Sequence, residues 1–209
     1  MDFEIEVRSA GELCEKLRNV TLRGSTIPPY LNSFIRIETF NPRNLSPCQR
    51  YALLPELKKI EELRWEILRE YGQDILQLNG YLKCHYPDKT IDILPPVCEE
   101  YVTPWGELKA IINDGLHRVF LAYQMGIPVN VAYIRGVHPG YPYYAHMNPK
   151  GFDDIELIEE IPENYVKKFH VAKNHKELFR NFSSKFENVG DSRPRKQETF
   201  PEEVLKLLG

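Results

Sequence analysis

No run of about 18 apolar residues occurs in the chain, which excludes a simple apolar membrane-spanning helix. Charge of one sign is missing as well: 27 Lys and Arg stand against 30 Asp and Glu, a net charge of -3. That balance argues against coating nucleic acid or an anionic membrane through an overall field, and leaves only a local basic face. Cysteine is sparse, and Cys14, Cys48, Cys84 and Cys98 form no C-x-x-C pair. Cys84-His85 with Cys98 has no recognisable zinc spacing either. The opening, MDFEIEVRSAGELCEKL, is acidic early and lacks the basic-then-apolar order of a secretion signal. Reduced structural thiols and a cytoplasmic location are therefore expected. Internal repeats and low-complexity tracts are also absent. What is present is a chain of 209 residues, 42% hydrophobic and 27% charged. This is enough for one ordinary domain with additions, able to bury its core without disulfides or metals.

Local patterns give an α+β order. FEIEV reads as a strand, and Ser9 with Glu12 has the spacing of a capping box for the helix after it. Residues 24–33 are turn-rich and read as a connector. FIRIETF alternates as a strand, ended by Asn41-Pro42. Ser46, Pro47 and Gln49 have the form of a helix start, and Pro55 is expected to break or kink the helix at its position. Glu56 to Tyr71 reads as the strongest helix, with Leu57, Ile60, Leu63, Ile67 and Tyr71 on one stripe and Gly72 closing it. Its charged pairs Glu56/Lys59, Glu61/Arg64 and Glu66/Arg69 belong on a wet face. IDILPPVCEEYV, the turn TPWGE and LKAIIND read as a β-hairpin, LHRVFLAYQM as a helix closed by Gly126, and VNVAYIRGV as a mostly buried strand.

After Val137 the texture changes. HPGYPYYAHMNPKG is a Pro-, Gly- and Tyr-rich loop. There His138 and His146, with Tyr141, Tyr143 and Tyr144 between them, either line a ligand pocket or stack a base, or pack flat on the body. FDDIELIEEIPE holds six acids and no base, while Val166 to Glu198 holds nine Lys or Arg against four acids. HKELFRNFSSKF reads as a helix, NVGDSRPRKQ as a loose loop and FPEEVLKLLG as a final helix. Trp105 in the hairpin turn either covers a site or shields the core.

The chemistry concentrates in AIINDGLHRVFLAYQMG. A β-rich run ends at Asn113-Asp114-Gly115 and a helix starts at once, so the N–H groups of its first turn and its dipole favour an anion. Gly115 allows a tight turn or a close backbone approach. Arg118 offers a guanidinium fork for phosphate oxygens and His117 a further donor. Asp114 could hold a divalent metal, or orient or deprotonate an attacking hydroxyl. One turn thus combines what a phosphoryl site needs. The same five residues also fit an ordinary turn, with Asp114 as a cap and His117 and Arg118 merely exposed.

The order hairpin, DGLHR, LAYQMG, IPVNVAYI resembles the ParB/sulfiredoxin-like superfamily over roughly Phe34 to Val137, and FIRIETFNPRNL is similar to that family's opening. The resemblance implies an α+β fold with a core of β-hairpin, D-G-x-H-R turn, short helix and strand. The implied organisation is an extension over 1–33, a nucleotide-binding core over 34–137 and a loop and helix extension over 138–209. It further implies that Gly115, Leu116, His117 and Arg118 contact the phosphates of ATP or another nucleotide. Asp114 and His117 would be catalytic, and Asp114 would position Mg²⁺. Sulfiredoxins carry a catalytic Cys where this chain has Leu116, which argues against sulfinic-acid reduction. ParB proteins continue into a helix-turn-helix that HPGYPYYAHMNPKGFDDIELIEE does not resemble. Free-serine kinases of the superfamily share Asp-Gly-x-His-Arg and add an acidic residue near the first helix. Here Glu38 precedes the corresponding stretch and Glu56 comes after it.

The expected function is phosphoryl transfer from a nucleotide to a small hydroxyl-bearing molecule, or nucleotide hydrolysis. Glu38, Arg180, Arg193 and Arg195 are candidate substrate or second phosphate contacts. The alternative is a nucleotide-sensing or DNA- or RNA-associated module, or a nuclease, that uses the basic 166–198 stretch.

Overall fold

Ser9 ends one extended segment and opens the first helix. Its hydroxyl accepts from the Glu12 N–H, and Glu12 reaches back to the Ser9 N–H, so the expected capping box forms. Strand β1 (Glu4–Ser9) thereby turns directly into α1 (Ala10–Arg18). The computed structural model describes residues 3–163, 165–171 and 175–189. A short strand β2 (Thr21–Leu22) and the connector lead to β3 (Phe34–Phe40), then β4 (Leu45–Ser46) and β5 (Tyr51–Leu53). β5 runs into α2 (Leu54–Tyr71), which Gly72 closes in the left-handed conformation at φ 66°. Next come β6 (Gly80–His85), β7 (Thr90–Ile93), β8 (Val97–Val102) and β9 (Leu108–Asp114). They are followed by α3 (Leu116–Met125), β10 (Val129–Arg135), β11 (Glu156–Ile158) and β12 (Arg180–Asn181).

The main sheet has the order β3-β10-β8-β9-β4. β10 is antiparallel to β3 and parallel to β8, and β8 and β9 are the expected antiparallel hairpin. Because side chains alternate along a strand, β10 feeds two cores at once. Val129, Val131 and Tyr133 pack with Leu57 of α2 and Leu116, Val119 and Phe120 of α3. Ala132 and Ile134 pack on the other face with Leu13 and Leu17 of α1 and Phe182 and Phe186 of the C-terminal segment. The sheet is thus a middle layer, and the turn before α3 lies where β9 delivers the chain to one covered face. A smaller antiparallel sheet, β1-β6-β7, carries a third core around Ile67, Ile75 and Leu82. No described helix is long and apolar enough to cross a membrane, and all four cysteines are free thiols.

Several local expectations are corrected. No helix starts at Ser46: it lies in β4, paired in parallel with Ala110 and Ile111 of β9, and Gln49 donates to the Tyr51 carbonyl instead of reaching back. Pro55 neither breaks nor kinks α2, because it sits in the first turn, where its missing N–H has no intrahelical partner. Arg64 leaves the wet face. It is 6% exposed and holds Asp74 through two bonds of 2.8 and 2.6 Å. β7 leaves the hairpin to pair with β6, a strand that the local patterns did not announce. HKELFRNFSSKF is not one helix: two 3-10 turns, His175–Leu178 and Phe182–Ser184, flank β12, which pairs with β2. There Phe179, Phe182 and Phe186 are buried, a spacing that tertiary packing uses without a helix. FPEEVLKLLG and the loop from Gly190 to Gln197 lie outside the described residues.

Candidate functional site

β9 ends at Asp114, and Gly115 then adopts φ 83° and ψ 25° as the N-cap of α3. The Val119 N–H closes the first helical bond onto the Gly115 carbonyl at 3.1 Å. Neither α3 nor α2 has a side-chain cap, so the first-turn donors of both helices lack the usual neutralising oxygen. His117 brings the two starts together: its Nε2 accepts the N–H of Leu53, the N-cap of α2, at 3.0 Å. With Nε2 accepting, Nδ1 is the ring nitrogen left to donate. Glu56 lies in the first turn of that same α2 and pairs with Lys59 at 3.4 Å.

Arg118 turns inward. Its Nη2 donates to Asp114 Oδ2 at 3.0 Å and its Nη1 to the Leu94 carbonyl, and only 13% of the side chain is exposed. Burial pulls the guanidinium below its ordinary pKa, and the Asp114 carboxylate works against that pull. Leu116 is 8% exposed and belongs to the core, so only its backbone faces the turn. The motif residues are therefore together, each held by the protein itself: Asp114 by Arg118, Arg118 by Leu94, His117 by Leu53. A cleft of about 120 Å³ opens at the opposite end of α3, between Asn41–Arg43 and Gly126–Pro128.

The other candidates do not join this turn. Glu38 lies on β3 and pairs with Arg36. Its neighbour Ile37 is opposite Ala132, Ala132 opposite Val97, and Val97 opposite Asp114. Three strand spacings, about 14 Å, therefore separate Glu38 from Asp114. Arg180 is not on a basic face: its side chain is 0% exposed and grips Glu99 at 3.0 and 2.9 Å. Arg193 and Arg195 lie outside the described residues. Tyr143 and Tyr144 pack onto the body, where both hydroxyls accept from the buried Lys168 ammonium, at 3.0 and 2.8 Å. His138 and His146 are less buried than these tyrosines. Trp105 is 78% exposed at the hairpin tip and shields nothing in the core.

Sequence reasoning missed the polar group behind the turn. Glu99 on β8 is 2% exposed, accepts from the Tyr30 hydroxyl at 2.5 Å and receives Asn113, the residue before Asp114. Asn113 also donates to the Tyr30 hydroxyl at 3.0 Å. Burial, then the Glu99 charge, hold the Tyr30 phenol well above its ordinary range. Burial opposes the Arg180 charge, but Glu99 and Tyr30 outweigh it and raise the guanidinium. The one available signal was a carboxylate inside the apolar run PVCEEYV. Among the described residues, no three His, Cys, Asp or Glu side chains converge to hold a metal ion. Asp114 is the turn's single carboxylate, so the residues present do not build a resident Mg²⁺ site of their own.

A family model described as the ParB CE domain matches residues 12–156, more than half of the chain and including most of α1 and all of β2 through β10. No curated protein and no solved structure matches the chain.

Proposed function

The chain belongs to the ParB CE domain family, and on that premise we propose that it binds the phosphates of ATP or another nucleotide where α2 and α3 begin. The observation that carries this reading is the bond from Leu53 N–H to His117 Nε2, which joins two helix starts that both lack side-chain caps. Each helix start presents a positive dipole end that favours an anion, and this bond holds the two starts side by side. Arg118 supplies the formal positive charge, and in the protein alone Asp114 neutralises it. A phosphate drawn to this point competes with Asp114 for the guanidinium, since bidentate phosphate suits the fork at least as well.

The proposed reaction is phosphoryl transfer to a small hydroxyl-bearing molecule, or to water in hydrolysis. Asp114, released from Arg118, accepts the proton of the attacking hydroxyl. The oxygen–phosphorus bond to the acceptor forms as the bond to the nucleoside diphosphate breaks. Arg118 stabilises the charge on the transferred group. His117 is a positioning residue here, because its Nε2 is engaged with Leu53. Mg²⁺ carried by the nucleotide would be held mainly by phosphate oxygens.

The test is thermal unfolding against ATP, ADP, CTP and GTP, with and without Mg²⁺, followed by turnover. A bound nucleotide stabilises the fold by roughly 2.7 kcal/mol at a hundredfold excess over its Kd. Arg118→Lys should weaken binding at least tenfold, while Asp114→Asn should keep binding and lose turnover. If no nucleotide shifts the transition, the reading is wrong. The alternative, a nucleic-acid module working through the basic 166–198 stretch, receives less support because Lys168 and Arg180 are buried.

A further inference from the structure

Helix α3 ends at a cleft. Gly126, at φ 66°, turns the chain out of the helix, and its N–H bonds the Ala122 and Tyr123 carbonyls. The Ile127 N–H returns to the Ala122 carbonyl as well, at 3.1 Å. Pro128 follows and has no N–H, so the Gln124 carbonyl meets no donor four residues on. Among the described residues, the carbonyls of Gly126 and Ile127 accept no bond either. The last carbonyls of a helix are the negative end of its dipole, and no basic residue stands in the last turn of α3 to neutralise it. This side of the cleft favours a positive group.

The other side carries a held cation. Asn41 Oδ1 accepts the Arg43 N–H at 3.0 Å, and the Leu45 N–H bonds the Pro42 carbonyl, which fixes this wall as the 3-10 turn Pro42–Asn44. The Arg43 guanidinium lies 5.4 Å from the centre of the Tyr123 ring, and that ring stacks on Phe152 at 4.6 Å. Among the described residues, no carboxylate or carbonyl takes the N–H donors of the guanidinium. Asp153 Oδ1 accepts from the Tyr123 hydroxyl, at 3.4 Å, rather than from Arg43. Between the two sides, Pro42, Tyr123, Ile127 and Pro128 line a space of about 120 Å³. A cavity of about 150 Å³ holds one benzene ring, so this one takes a body of about four or five carbons.

We propose that this cleft binds a small zwitterion, a molecule that carries a carboxylate and an ammonium group on one short apolar body. The carboxylate takes the fork of Arg43. The ammonium donates to the carbonyls at the end of α3, and the body lies against Ile127, Pro128 and the Tyr123 ring. A ligand with only a negative charge meets the negative helix end and Asp153, and one with only a positive charge meets Arg43. A ligand with both charges satisfies both sides. The ten residues of α3 put this site about 15 Å from the turn at Asp114, so it is separate from the proposed phosphate site.

Titration of the full-length protein with L-valine, followed by nitrogen–proton NMR, tests this. Isovalerate, which lacks the ammonium, and isobutylamine, which lacks the carboxylate, are titrated beside it. Valine should shift the Gly126 and Ile127 amides and the Arg43 Nε–H to saturation in about the millimolar range. Isovalerate and isobutylamine should each bind roughly tenfold more weakly or worse. Arg43→Gln should lose roughly tenfold or more of the valine affinity and none of the isobutylamine affinity. Arg43 is exposed, and circular dichroism checks that the variant keeps the fold. Absence of a saturable shift with valine overturns the proposal. So does isovalerate that binds as tightly as valine, or an Arg43→Gln protein that binds valine like the wild type. The titration contains no nucleotide, so this proposal and the phosphate reading fail independently.

Discussion

At Gly115 the backbone conformation and the packing make the same demand. Its φ of 83° is left-handed, and a Cβ there would lie 2.8 Å from Arg118 Nη2 and 2.9 Å from Pro96 Cα. The guanidinium end could shift, but it is tied to Leu94 and Asp114, and the Pro96 backbone cannot yield cheaply. Gly115→Ala should cost about 2–6 kcal/mol, the sum of left-handed strain and overpacking. Gly24 is the control: it has φ 72° but nothing within 4 Å of an added Cβ, so Gly24→Ala should cost only about 1 kcal/mol. Urea denaturation of the two variants separates the effects, and equal losses would mean that Pro96 and Arg118 do not press on the turn. The motif itself was only half legible at this scale. Asp114 to Arg118 stood out by type and spacing. Their partners are the Leu94 carbonyl and the Leu53 N–H, main-chain groups with no residue type of their own, so nothing in the sequence marked them.

At the scale of elements, α2 shows why charge patterns mislead. Arg64 stands three residues after Glu61 and reads as half of a solvent pair, yet it turns to Asp74, beyond the helix end, with side-chain exposures of 7% and 19%. Burial raises the Asp74 carboxyl, but the Arg64 bonds, the Leu76 N–H and the Arg64 charge outweigh it, and the net pKa is lowered. A carboxyl lowered on folding stabilises fully above its unfolded pKa, and that contribution is lost as pH falls through the folded value. Asp74→Asn should therefore cost about 2 kcal/mol at neutral pH. Its stability should converge on that of the wild type in acid, below the usual Asp range. A gap that stays constant down the acid limb would show that the clasp does not depend on charge. Elements built on local periodicity, β3, α2, α3, β10 and the β8–β9 hairpin, were legible because each buries the face its pattern announces. The starts at Ser46 and His175 were not. The capping signal at Ser46 and the helical composition of HKELFRNFSSKF lost to pairing with β9 and with β2, strands distant in sequence.

Across the whole molecule, one buried ion pair fastens the C-terminal segment to the sheet. Arg180 spans from Glu99 on β8 to the carbonyls of Leu178 and Tyr141, at 2.6 and 2.8 Å, while Tyr30 and Asn113 complete the shell around Glu99. The pair thus joins residues far apart in the chain, and Asn113 extends it to the strand end that carries Asp114. Removing one partner strands a charge in a dry place, which costs more than the pair itself contributes. Arg180→Met should destabilise the fold by about 3–5 kcal/mol. Glu99→Gln should do the same from the other side, because Arg180 then has no carboxylate. The double variant removes both charges at once and should be markedly less destabilised than the two single losses added together. Chemical denaturation of the four proteins closes this cycle. Simple additivity would mean that Glu99 and Arg180 do not act as a pair. A pair that holds should also tighten the region before α3, so the single variants should unfold the 175–189 segment first and expose Asn113 amide exchange before the core of β10 opens.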